Sequence, residues 1–223
     1  MDKDLLLVLD DVKKKVEKYY TGKKKDSYNN QIESLKADYK SIEIPERHQE
    51  TYQSLVNKGK ELLKESNIKD EKKVGYYLRY CGAATYDFRD NIKPLNLIMK
   101  SFLLTSTLFF VLAPQYFSFL LPLMFVIPIF MGLRGMKKRV LNGLLMGVSV
   151  VPMAVLVSII WLRNAYLAMG NFDAFVSGIA QQYNFSIEFT RNLTFACIFL
   201  SVVMLSSSIV LLASAIKYRK MFI

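Results

Sequence analysis

From residue 95 onward, the sequence contains four apolar runs that are each long enough to cross a lipid bilayer. They cover residues 95–113, 117–133, 140–162 and 193–216. An α-helix rises about 1.5 Å per residue, so roughly 20 residues span a hydrocarbon layer of about 30 Å. The second run is short and contains Pro122 and Pro128, which predicts a kinked helix. These runs exclude a soluble globular protein and predict a domain of four transmembrane helices over residues 94–223.

The charged residues that flank the runs predict how the helices are oriented. The loop after the second run and the segment after the fourth contain basic residues and no acidic ones. Their basic residues are Arg134, Lys137, Lys138, Arg139, Lys217, Arg219 and Lys220. Such segments remain on the cytoplasmic side of a membrane. We therefore expect an integral protein of the cell's inner (plasma) membrane, with both termini in the cytoplasm and these seven residues as topology anchors.

The connection between the third and fourth runs, residues 165–190, contains a short amphipathic pattern of its own. Its apolar residues recur at helical spacing around Asp173, a candidate N-cap. They are Phe172, Phe175, Val176, Ile179 and Tyr183. One interpretation is a helix that lies on the outer leaflet, and the other is a re-entrant segment. The sequence leaves both open.

Residues 1–93 are polar, and their apolar residues recur three and four positions apart in four successive stretches. This spacing predicts about four amphipathic helices, and their short connections favour a small antiparallel bundle. Basic and acidic residues nearly balance here, with 20 of the former and 17 of the latter. The chain is therefore predicted to be all-α, with a cytosolic helical domain over residues 1–93 that precedes the membrane domain.

The second of these helices has a narrow apolar seam. Its residues follow each other at alternating steps of four and three, which is the spacing of a coiled coil. They are Tyr28, Ile32, Leu35, Tyr39 and Ile42. The seam either pairs with another subunit or closes the core of its own domain, and the pattern alone does not decide between the two.

The net charge of +11 does not indicate a nucleic-acid partner. From Pro94 onward there are 10 basic and 2 acidic residues, so most of the excess lies in the membrane half, where membrane topology explains it. In the polar half, lysine triplets occupy residues 13–15 and 23–25. Each triplet is either an attachment point for anionic lipid headgroups or part of a solvated surface.

Residues that carry chemistry are scarce. No Asp, Glu, Lys, Arg or His lies at mid-depth in residues 101–133, 140–162 and 193–216, which disfavours a proton-coupled transporter. The single histidine, His48, has no second histidine near it. Asp87 and Asp90 are weak candidates for binding a divalent cation, because Arg89 and Lys93 are close enough in sequence to neutralise them. We therefore predict no catalytic residues, no cofactor and no enzymatic activity.

Small residues in the third and fourth runs predict close contacts between helices. Gly143 and Gly147 lie four residues apart on one helical face, where the missing Cβ allows a second backbone to approach. Ser207 and Ser214 give the fourth run a similar face. We assign these four residues to helix packing, either within the chain or between subunits.

These features favour a non-enzymatic multi-pass membrane protein that self-associates or joins a membrane complex. Its cytosolic domain would serve for assembly or partner docking, and the whole would act as a passive pore or as a subunit of a transport system. One alternative is a membrane-embedded lipid-modifying enzyme, or the regulatory subunit of one, with Asp87 and Asp90 at headgroup level. Another is a carrier for a neutral solute, built on the hydroxyl-bearing helix faces.

Overall fold

The computed structural model describes residues 3–223, apart from the side chain of Lys3, and all regular structure in that range is helical. Contacts between residues divide the chain into two compact units. The first is Met1–Lys93 together with Tyr218–Ile223, and the second is Pro94–Lys217. The all-α prediction and the prediction of four membrane helices are confirmed.

The first unit is a bundle built around one apolar core. Its helices are α1 (Lys3–Tyr19), α2 (Gly22–Lys40), α3 (Gln49–Leu62), α4 (Glu65–Ile68) and α5 (Glu71–Phe88). The helix α1 packs against α2 and α3, and α5 packs against the same two helices. Two buried tyrosines add polar contacts: Tyr52 Oη accepts from the Leu5 amide at 3.1 Å, and Tyr39 Oη donates to the Cys81 carbonyl at 2.7 Å. Both of these phenols are therefore bonded to the backbone.

The apolar seam of α2 lies in the core of the unit. Ile32 is fully buried, and Leu35, Tyr39 and Ile42 are buried beside it, while Tyr28 packs at the edge. Each contacts the same cluster as the apolar faces of α1, α3 and α5. The structure thus uses the seam to close the unit's own core, and it gives no support to a coiled coil between subunits.

A short tail, Tyr218–Ile223, completes the first unit from the far end of the chain. Met221 and Phe222 are fully buried, and the turn Arg219–Met221 packs against α5. The approach is close at Gly82, where an added Cβ would lie 3.5 Å from the Lys220 carbonyl oxygen. Lys220 Nζ also donates to Ser34 Oγ at 3.3 Å. The sequence pattern does not indicate this contact, because it groups these residues with the membrane helices.

The second unit contains the four candidate spans, which run over Lys93–Leu112, Leu120–Lys137, Leu141–Tyr183 and Ile187–Lys217. Its helices are α6 (Lys93–Leu112), α7 (Pro114–Phe117), α8 (Leu120–Met124), α9 (Val126–Lys137), α10 (Leu141–Val148), α11 (Val151–Ala168), α12 (Phe172–Tyr183) and α13 (Ile187–Lys217). The second span begins later than residue 117, because the short helix α7 ends there and Ser118 has a φ of 54°, which interrupts the helical backbone. The third is helical well beyond residue 162, and the fourth begins before residue 193.

The core of the second unit joins α6, α11 and α13. Ala154 and Val157 of α11 lie against Cys197 and Met204 of α13, with Phe109 of α6 beside them. At the end of α6, Trp161 Nε1 donates to the Leu112 carbonyl at 3.4 Å. A carbonyl in the last turn of a helix has no partner within that helix, so the indole supplies one.

The segment predicted as interfacial or re-entrant forms α12, which packs against α13 through the buried residues Val176 and Ala180. Asp173 does not cap this helix, since the N-cap position belongs to Asn171. The Asp173 carboxylate accepts instead from Arg191 of α13, at 2.8 Å. The N-cap prediction for Asp173 is therefore wrong, because the helix already begins at Phe172 and Asp173 lies inside its first turn.

Two glycines of the first unit differ in the space around them, which gives a matched pair of variants. A Cβ on Gly59 of α3 would collide with the phenol of Tyr77 and with Val8 Cγ1, whereas a Cβ on Gly75 of α5 would meet only Tyr28 Oη, at 4.0 Å. We expect Gly59→Ala to destabilise the unit by about 1–3 kcal/mol through overpacking. Gly75→Ala should stabilise it by roughly 0.5–1 kcal/mol, because alanine favours the helix.

The Cys81 thiol provides the measurement for this pair, because it is fully buried and its burial raises its pKa to about 12. A maleimide at pH 8 should label it only when the unit opens. In a Cys197→Ala background, the urea concentration for half-labelling should fall for Gly59→Ala and rise for Gly75→Ala. Equal shifts in the two variants would contradict the packing argument.

Candidate functional site

In the membrane unit, a hydrogen bond between hydroxyl groups links the first and last spans. Thr105 Oγ1 of α6 and Ser207 Oγ of α13 lie 2.9 Å apart, and both side chains are buried. Because Ser207 Oγ already donates to the Met204 carbonyl at 3.0 Å, we assign the Thr105 hydroxyl as the donor. Interhelical bonds of this kind contribute about 0.6–2 kcal/mol in membranes. Ser214, seven residues from Ser207 on the same helix, is also buried.

Most other buried hydroxyls of the unit bond to the backbone of their own helix. The acceptors are carbonyls one turn earlier, at 2.7–2.9 Å, for Ser158, Thr194, Ser201 and Ser208. A hydroxyl that is bonded in this way presents little free polarity to a solute. Ser106 Oγ is different, since it is buried without a hydrogen-bond partner. The arrangement is therefore better suited to packing than to a polar pathway.

Helices α9 and α10 form a hairpin whose backbones touch at glycines. A Cβ on Gly143 would collide with the backbone of Gly135, and a Cβ on Gly132 would lie 2.8 Å from the Gly147 amide nitrogen. A Cβ on Gly147 would lie 2.9 Å from Met136 Cε. The sequence analysis missed Gly132 and Gly135, although glycines three residues apart near the end of the second run could have indicated them. The close contact of Gly143 and Gly147 lies within the chain.

Basic residues surround the turn of this hairpin. Arg134 and Lys137 occupy the last turn of α9, where cations interact favourably with the helix dipole, and Lys138 and Arg139 follow. Arg139 has a φ of 53°, and the next amide donates to the Gly135 carbonyl at 2.9 Å, which closes the end of the helix. Among the remaining predicted anchors, Lys217 ends α13, while Arg219 and Lys220 belong to the tail in the first unit.

The weak metal candidates Asp87 and Asp90 lie at the end of α5. The Asp90 carboxylate pairs with Arg47, and His48 Nε2 lies 3.8 Å away from it. Arg89, which the sequence offered as the neutralising residue, pairs instead with Asp38 at 2.9 Å. Within residues 3–223, no three His, Cys, Asp or Glu side chains are grouped for metal binding. The geometry therefore places Asp90 in an ion pair that fastens the α2–α3 connection to α5.

Two buried titratable groups of the first unit, Cys81 and Tyr39, lie in its apolar core. Burial raises the pKa of Cys81 to about 12, so the thiol is protonated and a poor nucleophile near neutral pH. Burial also raises the pKa of Tyr39 well above its usual value, and its hydroxyl is committed to a backbone carbonyl. Both groups fit a structural role.

The surface of the first unit has one broad groove, with a volume of about 1290 Å³, between α3 and α5. Tyr76 and Tyr80 stack along it with their ring centroids 6.4 Å apart, and Lys58 Nζ lies 3.9 Å above the ring of Tyr80. Arg79 and Lys72 also line it. Tyrosine and arginine are enriched at protein interfaces, whereas lysine is depleted there.

Comparisons with known protein families, with curated proteins and with solved structures find no match. Functional inference therefore depends on the physical arrangement of the chain's own residues. Two features stand out within the described range, namely the glycine-packed hairpin of α9 and α10 and the groove between α3 and α5.

The hairpin glycines give a direct test of helix packing. We expect Gly143→Leu together with Gly147→Leu to separate α9 from α10 and to lower thermal stability in detergent. Leu145→Ile should be tolerated, because Leu145 is 54% exposed and points away from the contact. The contact is internal, so the mass of the particle should not change in either variant. Wild-type thermal stability in the double leucine variant would show that the glycines are incidental.

Proposed function

We propose that this protein is a non-catalytic membrane subunit whose water-exposed helical bundle docks partner proteins on the cytoplasmic side. The observation that carries the proposal is that most of the polar side chains described above are already hydrogen-bonded or ion-paired within the protein. Most hydroxyls described above in the membrane unit are bonded to backbone or to each other, and Asp90 is held in an ion pair. Such a molecule offers packing surfaces rather than reactive groups, which favours assembly over catalysis.

The buried tail supports the proposed topology. Met221 and Phe222 follow the last span, yet they are buried in the unit formed by the first 93 residues. This contact requires both ends of the membrane segment to lie on one side, which agrees with an even number of spans. The basic residues of the α9–α10 turn favour the cytoplasm as that side.

The groove between α3 and α5 supports partner docking. Its exposed Tyr76 is 48% accessible, and Lys72 and Arg79 add positive charge beside it. Part of its acidic lining is already engaged, because Asp70 caps α5 and Glu71 pairs with Lys24 at 2.6 Å. We therefore propose an acidic protein segment as the partner of this groove. We also propose that the complex formed in this way acts as a passive pore or as part of a transport system.

The two alternatives have less support. A lipid-modifying enzyme would need a free carboxylate pair near the membrane, whereas Asp90 is paired with Arg47. A carrier for a neutral solute would need hydroxyls that face a solute, whereas Ser158, Ser201 and Ser208 bond to their own helix.

Cysteine accessibility tests the orientation. A cysteine at the exposed position Gln182 should react with an impermeant maleimide in intact cells. One at the exposed Lys23 should react only after the membrane is permeabilised. The native Cys81 and Cys197 are buried and give a low background. Labelling of the Lys23→Cys variant in intact cells would contradict the cytoplasmic assignment.

Light scattering of the detergent-solubilised protein tests the proposed self-association. The chain mass is 25.7 kDa, and we expect a protein mass of two or more times this value after the detergent contribution is subtracted. A particle with the mass of one chain across the accessible concentration range would leave the protein as a monomer that acts only with a different partner.

A further inference from the structure

The outer surface of the α9–α10 hairpin has a narrow apolar groove of about 330 Å³. Ile127, Pro128 and Met131 line one side, and Leu145 and Met146 line the other, with Ser149 at the end. Ser149 Oγ donates to the Met146 carbonyl at 2.6 Å, so the hydroxyl presents no free donor. The side chains of Ile127, Met131 and Leu145 are 67%, 47% and 54% exposed. A groove of this composition fits a hydrocarbon chain.

The same face of α9 continues into basic residues. Ile127, Met131, Arg134 and Lys138 follow one another at steps of four, three and four, which keeps them on one side of the helix. At about 1.5 Å per residue, Arg134 and Lys138 lie roughly 5–10 Å beyond Met131 along the axis. Lys137 lies about a quarter turn away from this line. The groove therefore leads toward two cations and leaves a third to one side.

The two cations on this face have no anionic partner in the part of the chain that the structure describes. Arg134 and Lys138 are both exposed. Between Pro94 and Lys217 the sequence contains only two acidic residues. Asp173 lies near the end of the third span and Glu188 at the start of the fourth, whereas the hairpin turn precedes the third span. An external anion at the hairpin turn would therefore meet no repulsion from carboxylates of its own unit.

We propose that the hairpin binds one anionic phospholipid, with an acyl chain in the groove and the headgroup phosphate against Arg134 and Lys138. Topology alone needs positive charge in the turn, but it does not require the charge to align with an apolar groove. The glycine contacts hold α9 and α10 together, and so they fix the groove between Met131 and Leu145. The inference rests on the proposed function only in placing this turn at the cytoplasmic leaflet.

Binding is measured on the full chain in dodecyl maltoside by native mass spectrometry, with phosphatidylglycerol or phosphatidylcholine added. We expect phosphatidylglycerol to bind about 25-fold more tightly, since each cation contributes about fivefold to the binding of a headgroup with a net negative charge, whereas the choline of phosphatidylcholine neutralises its phosphate. Arg134→Gln and Lys138→Gln should each lower that affinity about fivefold and leave phosphatidylcholine unchanged. Arg134→Lys should retain it. A detergent-solubilised protein has no cytoplasmic or outer side, so this result does not depend on the outcome of the accessibility experiment.

Matched controls separate a site from general charge attraction. Lys137→Gln removes the same charge about a quarter turn away from Arg134 and Lys138. It should change the affinity for phosphatidylglycerol less than twofold. Leu145→Trp narrows the groove and should weaken both lipids, and glycerol phosphate, which has no chain, should not displace phosphatidylglycerol. Equal effects at Lys137 and Arg134, or no loss in Leu145→Trp, would overturn the proposal. A dimer that Leu145→Trp abolishes would assign the groove to a second copy instead.

Discussion

In the hydrocarbon layer of a bilayer, an apolar side chain gains little by leaving lipid for protein, so helices must be held together in other ways. This chain uses close backbone approach and buried hydroxyls. At Gly135 and Gly143 the backbones of α9 and α10 meet with no side chain between them. At Thr105 and Ser207 a hydrogen bond connects helices that are about 100 residues apart in sequence. The apolar core around Trp161 lies between the same first and last spans and the third span.

The first unit, which we propose to be exposed to water, would fold chiefly through apolar burial, because water favours the removal of apolar surface. Its core takes one face from each of α1, α2, α3 and α5, and the phenols of Tyr39 and Tyr52 enter that core with backbone partners. The surface carries ion pairs such as Lys13 with Glu33, whose exposed side chains are screened by water and contribute little to stability. Charge thus shapes the surface of this unit, and packing determines its stability.

The membrane helices were predictable because hydrophobic length alone identifies a span. Their ends were harder to predict. The third span is helical past Arg163 and Asn164, since polar residues end a hydrophobic run without ending a helix. Contacts over long sequence distances were out of reach: Asp90 pairs with Arg47 because α5 returns to the α2–α3 connection. The contact between α9 and α10 was predictable only in part. The glycine pattern in α10 indicated that another helix lies close to it, but it did not identify that helix as α9.

The buried tail gives the first unit an unusual order of synthesis. Its core combines residues made before any membrane helix with Met221 and Phe222, which the ribosome adds only after all four helices have been translated. The amino-terminal bundle therefore cannot complete its core beside Gly82 before the end of the chain has been translated. Completion of this core thus requires that the whole membrane segment has already been made.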